Sequence, residues 1–169
     1  PELANWLKPM RDRNQKLNRD KALHEILEKA GKDPVMHAVQ DEFFDAVYWQ
    51  PAEKWARKNG FTLPLSMAII YDSFIHSGQV AMYLRNRFKE AVPANGGNEK
   101  RWIKEYISVR DNWLRHHSNE LLHKTVYRTE AFMDLMGFKF DEDHEVWVSN
   151  GQAANWNFES PFRVRTFTL

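Results

Sequence analysis

Apolar residues recur at helical spacing along most of the chain. Ala22, Leu23, Ile26 and Leu27 mark a helix over 20–30, and Gly31 is placed to stop it. Asp33-Pro34 reads as an N-cap followed by a first-turn proline. The helix it opens carries Val35, Val39, Phe43 and Val47 on one stripe, until Gln50-Pro51 interrupts it. Pro51 lacks an N–H and constrains its predecessor. A further piece through Trp55 and Ala56 ends at Asn59-Gly60. Residues 63–76 differ, because Leu65, Met67, Ala68, Ile69, Ile70, Tyr71, Phe74 and Ile75 cover nearly every face. A helix apolar all round is a buried, central one.

A weaker helix is predicted over 80–91, then a loop at Pro93-Ala94-Asn95-Gly96-Gly97. Asn98 caps the next helix, striped by Trp102, Tyr106, Val109 and Trp113 with Ile103, Ile107 and Leu114 beside them. After Ser118-Asn119 one helix is predicted to run to Met136 and stop at Gly137. Residues 145–148 and 162–168 alternate and read as strands. The fold class is therefore mainly α, with a small β element at the C-terminus, in a single domain over 1–169.

Composition narrows the function. With no Cys, disulfides, thiolate-held metals and a thiol nucleophile all drop out. Lys plus Arg is 24 against 23 for Asp plus Glu, a balance unlike the basic excess of a nucleic-acid-binding domain. No apolar run reaches the ~18 residues of a membrane span. His116-His117 and His123 lack the one-turn spacing of helical metal ligands, and His24-Glu25 with Glu28 fails the zinc-protease pattern, so no metal and no cofactor is expected. Trp55, Trp102 and Trp113 sit on helical stripes and read as core, whereas Trp6, Trp147 and Trp156 are freer to meet a sugar ring.

The most informative feature is a charge in an apolar helix. Asp72 shares a stripe with Leu65, Ile69 and His76; Arg128 shares one with Leu121, Thr125, Phe132 and Leu135. A buried charge without a partner costs several kcal/mol, so the two are expected to pair. A second cation comes from Arg163 or Arg165, which alternation puts on one face of the last strand. This Arg–Asp–Arg network reads as a structural clamp, with a catalytic Asp72 as the alternative. His76-Ser77-Gly78, where the helix opens into a loop, is either a ligand-facing group or a cap on the last carbonyls.

Asp33-Pro34-Val35, Gln40-Asp41-Glu42, Val47-Tyr48-Trp49-Gln50-Pro51-Ala52 and the run from Leu65 to Gly78, with its Tyr71-Asp72 and His76-Ser77-Gly78, resemble the family 46 chitosanases. Thr125-Val126-Tyr127-Arg128-Thr129 is similar to the family's Arg-bearing helix, and Ser160-Pro161-Phe162-Arg163-Val164-Arg165 to its C-terminal strand. The resemblance implies a lysozyme-like domain of two helical lobes that hydrolyses β-1,4 bonds in an amino-sugar polymer. It implies inversion by a Glu acid and an Asp base, whose carboxyls stand roughly 6.5–9.5 Å apart. Both fall upstream of Pro1 in the family order. The expectation is a fragment that lacks the N-terminal catalytic segment, is inactive alone, and binds substrate through His76, Ser77 and Gly78.

Chitosan is cationic, whereas this chain has net charge +1, and the family's acidic sugar-binding position falls near Pro9. Peptidoglycan is therefore the main substrate expected, with chitosan and a non-catalytic polymer-binding module as alternatives. Such a peptidoglycan hydrolase resembles the C-terminal effector domain of some type VI secretion valine-glycine-repeat spike proteins. That reading implies a secreted antibacterial protein acting in the periplasm of a target cell, blocked by an immunity protein in its producer. A chitosanase would act outside the cell. Neither nucleic acid nor membrane insertion is expected.

Overall fold

The computed structural model describes residues 2–157, which fall into two units dividing between Ala46 and Val47. The first holds α1 (Ala4–Arg11), a 3-10 turn (Gln15–Arg19), α2 (Lys21–Ala30) and α3 (Pro34–Phe44). Asp20 caps α2 by accepting from Leu23 N at 3.0 Å, and also accepts from Trp6 Nε1 at 3.0 Å. Asp33 caps α3 through Val35 N at 2.8 Å, with Pro34 in the first turn. Among the described residues of this unit only Leu23 is buried, and Val35, Val39 and Phe43 all stand exposed.

A π-helical turn, Asp45–Trp49, precedes α4 (Gln50–Lys58). The expected break at Gln50-Pro51 thus takes the form of a widened turn rather than a gap. The Pro51 ring would clash with the carbonyl four residues back in a regular helix, and a π turn makes room for it.

The second unit continues with α5 (Pro64–Ser77), α6 (Met82–Arg85), a 3-10 turn (Pro93–Asn95), α7 (Glu99–Arg115), α8 (Glu120–His123) and α9 (Val126–Leu135). An antiparallel hairpin follows, β1 (Phe138–Asp141) with β2 (Val146–Ser149), in the register Phe138 opposite Ser149 and Asp141 opposite Val146. The described residues are mainly helical, with a small two-stranded sheet after α9.

The core of this unit is built on α5 and α7. Leu65, Ile69, Ile70, Trp102, Ile103 and Ile107 are fully buried. Trp102 is its aromatic centre, with ring centroids 4.9 Å from Phe61, 5.3 Å from Phe88 and 5.1 Å from Tyr106. The start of α5 has no cap of its own; Glu99 supplies one. Its carboxylate accepts from Thr62 N at 3.0 Å, Thr62 Oγ1 at 2.9 Å and Leu63 N at 2.8 Å. An anion there complements the helix dipole and ties the starts of α5 and α7 together.

Three expectations change. The helix over 80–91 shortens to α6, because Arg85 folds back to donate to Phe88 O at 2.9 Å and Glu90 O at 2.7 Å. The helix up to Met136 breaks into α8 and α9, where Thr125 Oγ1 donates to Leu122 O at 2.7 Å in place of regular continuation. The strand at 145–148 pairs with Phe138–Asp141, a segment too short for its alternation to stand out. Asp141 organises the turn: its carboxylate accepts from Asp143 N and His144 N at 3.1 and 3.3 Å. The strand at 162–168 lies outside the described residues.

Two glycines are required for different reasons. Gly78 ends α5 at φ 72°, in open space. At Gly97 a Cβ would lie 1.7 Å from Ala91 O, so the backbones could not keep their approach. Gly97→Ala should therefore cost about 1–3 kcal/mol, and Gly78→Ala about 1 kcal/mol from strain at positive φ. Urea midpoints of the two variants measure this, and an unchanged midpoint for Gly97→Ala would show that the approach there relaxes freely.

Candidate functional site

The candidate site grows from α5, α7 and α9 of the second unit. Asp72 is buried in α5, and Arg128 Nη2 from α9 donates to its Oδ1. The second cation on Asp72 is Arg110 of α7, whose Nη1 lies 2.7 Å from Oδ2. Arg163 and Arg165, expected in that place, lie outside the described residues. Arg110 is 1% exposed and Arg128 more open, so one guanidinium is sealed and the other reaches outward. Burial works against the charge of Arg128, but the Asp72 carboxylate outweighs it and holds its pKa above the ordinary arginine value.

Sequence reasoning missed Arg110, although its place on α7 carried a signal. Buried positions there run Trp102, Ile103, Tyr106, Ile107, Arg110, Asp111 and Leu114, one continuous helical face. Extending the apolar stripe by one turn places Arg110 and Asp111 inward. Each finds its partners at once. Ser73 Oγ donates to Ile69 O at 2.8 Å and accepts from Tyr106 Oη at 2.8 Å; Arg110 Nη1 stands 3.4 Å from the same oxygen. Burial raises the Tyr106 pKa, so its hydroxyl remains a donor. Asp111 accepts from Thr129 Oγ1 at 2.6 Å and from Arg115 Nε at 2.8 Å. Arg115 goes on to Glu130 at 2.5 Å and Glu142 at 3.5 Å.

His76 is half-buried, one turn beyond Asp72, with Nδ1 3.2 Å from Ser77 Oγ. Burial lowers its pKa first, and Arg110 and Arg128 lower it further against the opposing pull of Asp72. Two guanidiniums against one carboxylate leave this cluster at +1, which disfavours a second cation. A neutral imidazole beside a hydroxyl, at a helix end closed by Gly78, can both donate and accept hydrogen bonds. That suits sugar hydroxyls. Asp72 is different, since both its oxygens are engaged by guanidinium.

The other histidines serve local structure. His116 Nδ1 is 2.9 Å from Asn112 O, His117 Nδ1 accepts from Asn119 N at 2.9 Å, and His123 Nε2 meets His117 O. Among the described residues no group of three or more His, Asp or Glu is arranged to hold a metal ion, and no helix is long and apolar enough to cross a membrane. Trp102 is fully buried; Trp55 and Trp113 pack partly buried against the core. Trp147 and Trp156 pack against it as well, so they are less free than their sequence positions suggest.

Two measurements test the cluster. Asp72→Asn leaves the buried Arg110 and the half-buried Arg128 without a counter-charge and should cost about 3–5 kcal/mol. Arg128→Ala should cost less, about 1–3 kcal/mol, because Arg110 still holds Asp72. Urea denaturation gives both, and the reverse order would show that Arg110 does not share the carboxylate. The second concerns pH. Folding holds His76 below its ordinary 6.5, so on acidification the unfolded chain takes the proton first. Stability present above pH 6.5 is thus lost as pH falls from there toward the folded pKa. His76→Gln should flatten that part of the profile; an unchanged profile would show that another group sets it.

The model for glycosyl hydrolase family 46 matches residues 2–140. A chitosanase from Bacillus subtilis strain 168 is 25% identical over 174 residues, which covers 98% of this chain and 58% of the relative. The chain thus spans less than two thirds of that enzyme's length. A Gynuella sunshinyii chitosanase solved with chitotetraose is 26% identical, with a TM-score of 0.62 over 79% of this chain and 62% of that one. The native chitosanase of Bacillus subtilis MY002 has the same fold at 22% identity, with a TM-score of 0.65 over 80% of this chain and 61% of that one. With most of its length matched by the family model and its fold shared with these enzymes, the chain belongs to glycosyl hydrolase family 46.

Proposed function

We propose that this chain is the polymer-holding part of a glycoside hydrolase that cuts β-1,4 bonds between amino sugars, with chitosan as its substrate. The observation that carries the reading is the Asp72 cluster. A buried carboxylate clamped by Arg110 and Arg128 makes a rigid support, and it leaves neutral His76, with Ser77 and Gly78, at its edge. Sugar-binding groups need such fixed backing to align hydroxyls. The support for chitosan is that the similar enzymes are chitosanases, one of them solved with chitotetraose.

In this proposal Asp72, Arg110 and Arg128 position, His76 contacts sugar, and the general acid and base stand on a segment preceding Pro1. His76→Ala should then raise KM more than it lowers kcat in the extended enzyme, because it removes binding present in ground and transition states alike. An equal fall in kcat and kcat/KM would instead assign His76 to the chemical step.

Peptidoglycan is the second reading. It is favoured by the even charge, 24 cations against 23 anions, where a cationic polymer calls for an acidic enzyme. In that reading the protein is a secreted antibacterial effector, acting in the periplasm of a target cell and held in check by an immunity protein. One experiment separates the two: the chain, alone and extended by its native upstream residues, is incubated with chitosan and with purified sacculi. New reducing ends are identified by mass spectrometry. The extended form should release glucosamine oligomers from chitosan, and the chain alone should release nothing. Release from sacculi alone would replace the first reading with the second, and release from neither would leave a binding module.

A further inference from the structure

The hairpin and α9 line an open recess of about 350 Å³, within the volume range of small-molecule sites. Phe138, Phe140 and Trp147 line it from the strands, Glu130 and Asp134 from α9, and Glu142 from the turn. It is separate from the Asp72 cluster. At 100° per residue, Glu130 and Asp134 sit roughly 200–240° around α9 from Arg128.

Both rings and carboxylates line it. Trp147 and Phe140 meet edge to face at 5.1 Å. Arg115 Cζ lies 3.6 Å from the Phe140 centroid and Lys104 Nζ 3.9 Å from that of Phe138, so these rings already accept cations. The charges do not balance. Glu130, Asp134 and Glu142 line the recess against one lining cation, Lys139, and the buried Asp111 draws on Arg115 from behind. Arg115 is shared among three of those carboxylates. The Asp134 carboxylate, among the described residues, accepts from the neutral Asn150 Nδ2 at 2.8 Å.

We propose that this recess binds a glucosaminium unit, a second holding point for the amino-sugar polymer on the same chain. An aromatic wall takes the C–H face of a pyranose, and the surplus carboxylate takes its ammonium. A second site on one polymer raises the local concentration of substrate without adding a contact at the first. The inference rests on the amino-sugar reading above.

The test is a 1H–15N titration of the chain with a glucosamine tetramer at mildly acid pH, beside its fully N-acetylated analogue. The Trp147 indole and the amides of Ala131, Lys139 and Glu142 should shift, and the neutral analogue should bind several-fold more weakly. Glu142→Gln, which alters an exposed side chain, should weaken the charged tetramer roughly two- to fivefold. Unmoved recess signals at millimolar tetramer, or equal binding of the acetylated analogue, would overturn the site. Cleavage is read separately with the extended enzyme. Cleaved chitosan with silent recess signals defeats this inference alone; shifted signals without cleavage defeat the hydrolase reading alone.

Discussion

One ion cluster organises the second unit. Asp72 lies in the most apolar helix of the chain, and a lone carboxylate there would be untenable. Arg110 and Arg128 come from two different helices, so holding Asp72 fixes α5 against α7 and α9 at one point. Two cations for one anion is also an asymmetric solution. Burial first, and then the positive charge of the two guanidiniums, hold the pKa of His76 below its ordinary value. A core constraint thereby adds to what burial does to a half-exposed group one turn away.

The second cluster repeats the scheme with the opposite sign. On α7, Asp111 follows Arg110 directly, and its partner Arg115 is one turn on. The excess here is negative, because Arg115 serves Asp111, Glu130 and Glu142 together. One helix therefore carries two neighbouring residues of opposite charge into the interior, and each draws a different group of partners. The first faces a neutral imidazole, the second an acid-lined recess with aromatic walls. An apolar replacement of both clusters could be as stable, so their retention makes sense for what they present at the surface.

The sequence disclosed most of this where a pattern was long. The helices at 20–30 and 63–76 and the one after Asn98 follow from stripes of two turns or more, and Asp72 and Arg128 stood out because charge broke such stripes. Short or competing signals hid the rest. Thr125 looked like a helical residue, yet its hydroxyl bonds Leu122 O and ends α8. Phe138–Asp141 offers four residues, too few to declare a strand until Val146–Ser149 lies beside it. Arg110 was concealed for another reason. In a helix dense with charges, an inward arginine looks like any surface arginine unless the stripe is followed past Ile107.

In the proposed reading, the clamp and the imidazole hold sugar and do not cut it. A group that takes or gives a proton must exchange it freely near working pH. Asp72 has both oxygens taken up by guanidiniums, and His76 stands beside the Ser77 hydroxyl at the end of α5. These residues do better as a fixed frame, rigid because Tyr106 and Ser73 brace Arg110 from behind. A frame of this kind raises the value of any acid and base brought to it, since reacting groups gain most when the substrate is already immobile. It also explains how a chain can carry the marks of a glycoside hydrolase while its best-supported polar residues are the wrong ones for proton transfer.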